Sequence, residues 1–370
     1  MNKYLIKNFD WFMLTTVLLI SLIGVITIFS ATRPLEEGGH SNFYIKQFIW
    51  VFIGIIGLIT VVSFDYVWLG RASYIIYVLG IGLLLATYII GRAGGGAQRW
   101  ISLGVFSFQP SELFKLCFVV MFTRYLTLIK APLSGWAVIK AFLAFTALPF
   151  FLLLKQPDLG TALILILLFA FLTLIRGVKR NVVFFLLIAG IISIPFLGNI
   201  FWDELRDYQK NRLVAFMEPD VDPSGIGYQI TQSKVAIGSG KFLGKGFLKG
   251  TQGPFRFLPE KHTDFIFSMF AEEWGFLGSI VLLLIYLGFV YRSIDTAKNA
   301  KDDFGRLLAT GITFMLSMYI VFNMGMAMGL LPIIGIPLPF MSYGGTALLS
   351  NFIAVGILIS IRARRFDLFY

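Results

Sequence analysis

The strongest constraint in this chain is a series of apolar stretches, each long enough to cross a lipid bilayer as a helix. They run at residues 10–30, 44–64, 73–90, 111–129, 136–154, 160–176, 182–202, 265–291, 307–329 and 345–361. A spanning helix needs about 20 mostly apolar residues. Only helices or closed barrels satisfy their backbone hydrogen bonds inside hydrocarbon. The expected fold is therefore an all-α polytopic membrane protein of about ten transmembrane helices. Composition agrees: 57% of the 370 residues are hydrophobic and 14% are charged, where a soluble domain carries about a quarter charged residues. A soluble enzyme, a disordered chain and a secreted disulfide scaffold are excluded. Cys117 is the single cysteine, so no internal disulfide forms.

Lys3 and Lys7 precede the first stretch as they would in a secretory signal. The apolar run is too long for a signal core and further spans follow it, so it reads as an uncleaved first span. An even number of spans puts both termini on one side. With that side cytoplasmic, the inner segments hold Lys3, Lys7, Arg71, Arg124, Lys130, Arg176, Lys179, Arg180, Arg292, Lys298, Lys301, Arg306, Arg362, Arg364 and Arg365. The outer short segments hold only Arg33, Lys46, Arg92, Arg99 and Lys155. This is the asymmetry of the positive-inside rule. It accounts for much of the net charge of +11 without invoking nucleic acid.

One connection breaks the pattern of short links. Residues 203–264 form a large extracytoplasmic loop between spans seven and eight, far beyond the roughly 12–15 residues usual for unstructured loops. Its first part is acidic and mixed (Asp203, Glu204, Asp207, Glu218, Asp220, Asp222). Its second part is basic, with Lys234, Lys241, Lys245, Lys249, Arg256 and Lys261 against Glu260. Long loops escape the positive-inside rule, so an anionic ligand at the outer surface is the simplest reason for the basic run. A solvated charged loop is the competing reading.

Nucleotide, zinc and hydrolase motifs fail on spacing. Gly238-Ser239-Gly240-Lys241 lacks the spacing and the following Ser or Thr of a phosphate-binding loop. His40 and His262 have no ligand-like neighbours, and no nucleophile elbow occurs.

Ionisable groups in or beside spans cost about 2.5–3.5 kcal/mol each on insertion scales and are functional candidates by default. Four places qualify, all expected at the outer face. Gln109-Pro110-Ser111-Glu112-Leu113-Phe114-Lys115 opens span four and sets Glu112 and Lys115 on one helix face; a self-neutralising pair is the alternative. Gln156-Pro157-Asp158-Leu159-Gly160-Thr161 joins spans five and six, and Asp158 would also serve as a plain cap. Glu260-Lys261-His262-Thr263-Asp264-Phe265 enters span eight. There the helix dipole favours an ionised Asp264, with Glu272 on a similar face and a simple cap again as the rival. Pro332 to Gly345 is rich in proline and glycine at membrane depth, which predicts a bent segment packed on protein or lining a cavity.

These motifs, with Gln98-Arg99-Trp100, Gly227-Tyr228-Gln229 and Pro339-Phe340-Met341-Ser342-Tyr343-Gly344-Gly345, resemble in order and spacing those of the SEDS family (shape, elongation, division and sporulation). The resemblance covers essentially the whole chain and is strongest to the rod-shape branch. It implies a peptidoglycan glycosyltransferase that polymerises lipid II at the outer face of the bacterial cytoplasmic membrane. It also implies a class B penicillin-binding protein as crosslinking partner. The match puts Asp264 at the position regarded as essential, and Glu112, Lys115 and Asp158 at polar positions of a central cavity.

On that reading Asp264 is the base that takes the proton of the acceptor hydroxyl. Arg212, Lys241, Lys245 and Lys261, with His262 beside them, are substrate-binding candidates for the departing diphosphate. No ligand cluster demands a cofactor, while a divalent cation (Mg or Mn) held partly by Asp158 or Asp264 is compatible with a diphosphate leaving group. Membrane lipid is the remaining partner. A lipid II flippase and a non-enzymatic activator of the transpeptidase are the rival functions.

Overall fold

A computed structural model describes residues 7–33, 42–94, 97–103, 106–184, 207–218, 222, 225–253, 258 and 260–366. Almost all regular structure in them is helical. In chain order the elements are α1 (Trp11–Thr32), α2 (Phe43–Ser63), α3 (Tyr66–Ile90), β1 (Arg92–Gly94), β2 (Ala97–Leu103), β3 (Phe106–Phe108), α4 (Pro110–Leu128), α5 (Gly135–Phe142), α6 (Leu148–Lys155), α7 (Leu159–Arg176), α8 (Asp207–Met217), α9 (Ile226–Ser239), α10 (Ile266–Lys298), α11 (Asp303–Ala327) and α12 (Gly345–Ala363). A π-helical turn, Leu143–Ala147, joins α5 to α6.

Among the described residues eight helices are long and apolar enough to cross a membrane, with Gly135–Lys155 counted as one run. Helix α4 is of similar length but carries Glu112, Lys115 and Arg124. The expected seventh span, 182–202, falls outside the described residues beyond Phe184. The long loop has structure of its own in α8 and α9.

The starts of the helices follow from capping chemistry. Asp10, Asp158 and Asp302 accept the backbone N–H of Met13, Thr161 and Gly305, at 3.0, 3.3 and 2.6 Å. Each satisfies a donor that the first turn leaves unpaired. Pro110 opens α4, where its missing N–H costs nothing.

Burial sorts the helices into centre and rim. The spanning window of α12 is 89% buried and that of α11 is 67% buried, against 22% for α2 and 28% for α3. Helix α11 packs on α10, α4 and α7, and α12 packs on α2 and α4. The exposed apolar side chains of α2, α3 and α10 are those of a lipid-facing rim.

An ionic clasp ties the bundle at the end where α1 begins and α10 and α12 finish. The fully buried Asp10 carboxylate accepts from Nε of both Arg292 and Arg362 at 2.8 Å. Arg362 also reaches Asp295 at 2.7 Å. The opposite end gathers the motif-bearing segments. Between α3 and α4 a small antiparallel sheet in the order β1–β2–β3 stands there, a feature the sequence reading did not anticipate.

Helix α10 is not one straight rod. At Gly275 (φ 66°, ψ −163°) it breaks, a left-handed φ that favours glycine. Its observed extent, Ile266–Lys298, also runs further than the expected 265–291.

Candidate active site

Three segments meet at the motif-bearing end. The first is the turn between α6 and α7. Asp158 caps α7, and its carboxylate accepts from the Ser111 hydroxyl at 2.9 Å and the Gln109 amide at 3.3 Å. Two of the sequence motifs thus join at one carboxylate. Gly160 allows this turn to sit under the proline-rich segment, since a Cβ there would stand 2.7 Å from the Ile334 carbonyl oxygen.

Arg99 on β2 holds the same turn. Its Nε donates to the Gln156 carbonyl at 3.2 Å, its Nη2 to the Pro157 carbonyl, and its Nη1 lies 4.0 Å from Asp158. Burial pushes the Asp158 carboxyl up. Arg99, Lys115, the Ser111 hydroxyl and the Thr161 N–H outweigh it and hold the group below its ordinary value.

Beneath the turn lies the pair on α4. Lys115 Nζ is 2.7 Å from Glu112 Oε1, with side chains only 3% and 6% exposed. The ammonium also stands 4.5 Å from the centre of the Tyr319 ring, a favourable cation–π position. Glu112 and Lys115 are therefore a closed pair, with Lys115 adding positive potential at Asp158.

The second segment is the entry to α10. Asp264 is half-buried, and its backbone carbonyl accepts from the Asn323 amide at 3.0 Å. The third is the stretch after α11. The same Asn323 amide donates to the Ile336 carbonyl at 2.9 Å. The Ser342 hydroxyl donates to the Thr263 carbonyl at 2.7 Å, and the Tyr343 N–H to the His262 carbonyl at 2.8 Å. The irregular, bent segment expected between Pro332 and Gly345 is present, and these bonds fasten it to the entry of α10 and to α11.

Arg212 from α8 reaches over this segment and donates from Nη1 to the Ile333 carbonyl at 3.2 Å. It approaches Asp264 at Gly335: a Cβ on that glycine would lie 3.5 Å from Arg212 Nη1 and 3.6 Å from Asp264 Oδ2. Burial raises the Asp264 carboxyl to about 6; Arg212 opposes the rise, Glu260 adds to it, and Arg99 opposes it. Arg99 is thus within electrostatic range of both Asp158 and Asp264.

Two of the other basic candidates, Lys245 and Lys261, bond other groups. Lys245 bonds the fully buried Glu272 at 2.6 Å, and Glu272 also accepts from the Thr251 N–H at 2.9 Å and the Thr251 hydroxyl at 2.8 Å. Glu272 therefore pins the 240–253 loop onto α10. Its neighbour Glu273 accepts from the Ser30 hydroxyl on α1. Lys241 is exposed beside the same break in α10. Lys261 donates to the Gly253 carbonyl. The His262 ring packs against Phe43 and Tyr343, with centroids 4.4 and 5.5 Å away, and burial holds its pKa below the ordinary value.

Sequence reasoning did not single out Arg99 or Asn323 as site residues. Arg99 had a signal, because it sits in one of the quoted motifs. Asn323 is an uncharged side chain inside a long apolar helix, and nothing local marks which carbonyls it will meet.

The chain matches the FtsW/RodA/SpoVE cell cycle protein family over residues 10–366. It is 39% identical to the peptidoglycan glycosyltransferase MrdB of Escherichia coli across 80% of this chain and 79% of that one. With the peptidoglycan glycosyltransferase RodA of Treponema pallidum it shares 31% identity over 97% of this chain and 99% of the relative. A solved structure described as coordinating polymerization and crosslinking in a peptidoglycan synthase complex superposes with a TM-score of 0.82 at 27% identity, covering 97% of this chain and 99% of that one. RodA of Thermus thermophilus superposes with a TM-score of 0.70 at 24% identity, covering 97% and 98%, and so shares the fold. The expected resemblance holds over nearly the whole length, and this integral membrane chain belongs to the FtsW/RodA/SpoVE family, the SEDS proteins.

Proposed function

We propose that this chain is a peptidoglycan glycosyltransferase of the elongation branch, polymerising lipid II with Asp264 as general base. The observation that carries the reading is the setting of Asp264: a half-buried carboxylate with a pKa raised to about 6, beside Arg212 and within range of Arg99. A base tuned toward neutral pH is basic enough to take a hydroxyl proton and is still ionised at pH 7. The names of the relatives supply the substrate class.

In the proposed step the 4-hydroxyl oxygen of the acceptor GlcNAc attacks C1 of the donor MurNAc. The C1–oxygen bond to the diphosphate breaks with inversion, and the hydroxyl proton passes to the Asp264 carboxylate. The electron pair leaves on undecaprenyl diphosphate, whose charge Arg212 and Arg99 are placed to meet. Asp264 then returns its proton to water. Lys241 and Lys245 stand at the α10 break, where Lys245 is engaged by Glu272. Glu112, Lys115 and Asp158 set the potential beside the turn that Arg99 holds.

A divalent cation would have to share Asp158 and Asp264 with the two guanidiniums. Among the described residues no group of three or more His, Cys, Asp or Glu side chains gathers to hold one. The class B penicillin-binding protein is the proposed partner, in line with the synthase complex that shares this fold. The site end faces the periplasm, with both termini cytoplasmic, in line with the distribution of Lys and Arg.

The test is polymerisation of lipid II by the purified chain in detergent, where no membrane sidedness exists. The enzyme makes glycan polymer there. A flippase makes none, and a non-enzymatic activator makes none whether or not the transpeptidase is added.

A further inference from the structure

The loop after α9 reads Lys241-Phe242-Leu243-Gly244-Lys245-Gly246-Phe247-Leu248-Lys249, a lysine at every fourth position with apolar residues between. It is fixed to the break in α10. The Phe276 and Leu277 N–H groups donate to the carbonyls of Lys241 and Phe242, at 2.9 and 3.0 Å. The Lys245 and Gly246 N–H groups donate to the carbonyls of Glu272 and Glu273, at 3.0 and 2.9 Å. These bonds occupy the backbone groups that the break sets free, so the loop lies level with Gly275.

The break also divides α10 by environment. Every residue from Ile266 to Glu273 is buried in protein, whereas Phe276, Leu277, Ile280, Val281, Leu284 and Leu287 are exposed and apolar. Residues 276–291, up to the charged Arg292 of the ionic clasp, extend about 24 Å at roughly 1.5 Å per residue, most of a hydrocarbon core about 30 Å thick. With Arg292 at the inner boundary, the outer edge of the hydrocarbon falls within about one helical turn of Gly275, at the level of the loop.

At this level Phe242, Leu243 and Phe247 are 61%, 72% and 44% exposed. The Phe242 ring lies 6.0 Å from that of Phe276, continuing the apolar face of α10. Lys245 turns inward to Glu272. Lys241 and Lys249 are exposed and belong to no ion pair among the described residues.

We propose that Lys241–Lys249 is a membrane-interface anchor for anionic phospholipid. Phe242, Leu243 and Phe247 enter the acyl layer of the leaflet on the loop side, and Lys241 and Lys249 bind headgroup phosphates. Lipid fits better than a docked polypeptide for two reasons. Backbone groups at Lys241, Phe242, Lys245 and Gly246 are already bonded to α10, leaving little free edge for strand addition. The apolar tips are also continuous with the lipid-facing side of α10. The inference holds whether or not the chain is a glycosyltransferase.

The experiment places a fluorophore at Phe242→Cys or Phe247→Cys in a Cys117→Ser background. The host is vesicles of phosphatidylcholine and phosphatidylglycerol without any partner protein, with Asn299→Cys as control. The anchor predicts quenching by lipid-borne nitroxide and shielding from water-soluble nitroxide at 242 and 247, and the reverse at 299. Aqueous quenching equal to the control overturns it. Shielding that appears only when a transpeptidase is added also overturns it and assigns the loop to a protein contact. In a second arm, native mass spectrometry counts phosphatidylglycerol retained by Lys241→Gln and Lys249→Gln. A fall of about five-fold per lysine is expected, and unchanged retention refutes the phosphate contact.

Discussion

The side-chain amide of Asn323, buried in α11, donates to the backbone carbonyl of Asp264 at 3.0 Å. The same nitrogen serves the Ile336 carbonyl at 2.9 Å. One neutral residue thus sets the height of the proposed base and of the proline-rich segment opposite it.

Replacing that amide with a hydrocarbon of similar size should leave two carbonyls unserved in a largely buried setting. Asn323→Leu is expected to lower stability by about 2 kcal/mol or more and to reduce kcat for lipid II polymerisation more than it raises KM. Thermal unfolding in detergent and steady-state kinetics check both. Wild-type kinetics would show that the Asp264 backbone is held by other contacts.

The pH dependence follows from the environment of Asp264. Burial raises its carboxyl to about 6, and a general base works only when ionised, so activity should rise with pH through about 6. Arg212 opposes the rise by stabilising the carboxylate. Arg212→Gln removes that cation, so the acidic limb of the kcat/KM profile should move to higher pH, and KM for lipid II should rise. A limb that stays in place would separate Arg212 from the base.

Much of this architecture was legible in the sequence because the bilayer demands long apolar runs and penalises stray charge. The motif ends were found for the same reason: Glu112, Lys115, Asp158 and Asp264 are ionisable groups where charge is costly. What local sequence does not carry is partnership. The lysines of the long loop look alike on paper, yet Lys245 is claimed by Glu272 from twenty-seven residues away, and Lys261 by the Gly253 carbonyl. The break at Gly275 was hidden for a related reason. Its freed backbone groups are answered by a loop some thirty residues earlier, and the adjacent Glu272 and Glu273 do not by themselves announce a break. The hairpin carrying Arg99 lies in a short connection whose strands need each other before either shows a pattern.

Gly335 separates Arg212 from Asp264 with a backbone φ of 74°. A methyl group there meets both side chains, at 3.5 and 3.6 Å, and the left-handed backbone disfavours any side chain. Gly335→Ala should cost about 1–2 kcal/mol of stability and lower turnover while leaving insertion intact. Equal activity would mean the two side chains need not approach across this residue.

The clamp beneath the long loop can be tested through Glu272. Its carboxylate is about 1% exposed and holds Lys245 and Thr251. Glu272→Ala strands the partners of a buried acceptor and should destabilise by about 3 kcal/mol, seen as early proteolysis of the 240–253 loop. Glu272→Gln keeps an acceptor and should lose less. If both variants resist protease like wild type, the clamp is not what holds the loop.

The central claim is that the Asp264 carboxylate removes the acceptor proton. The direct measurement is glycan polymer formed from lipid II by purified Asp264→Asn, a near-isosteric change that keeps the Asn323 bond to the backbone carbonyl. The account predicts normal insertion, unchanged thermal stability or a slight gain, and turnover reduced by about 10²–10⁴-fold. Polymer at the wild-type rate would contradict it.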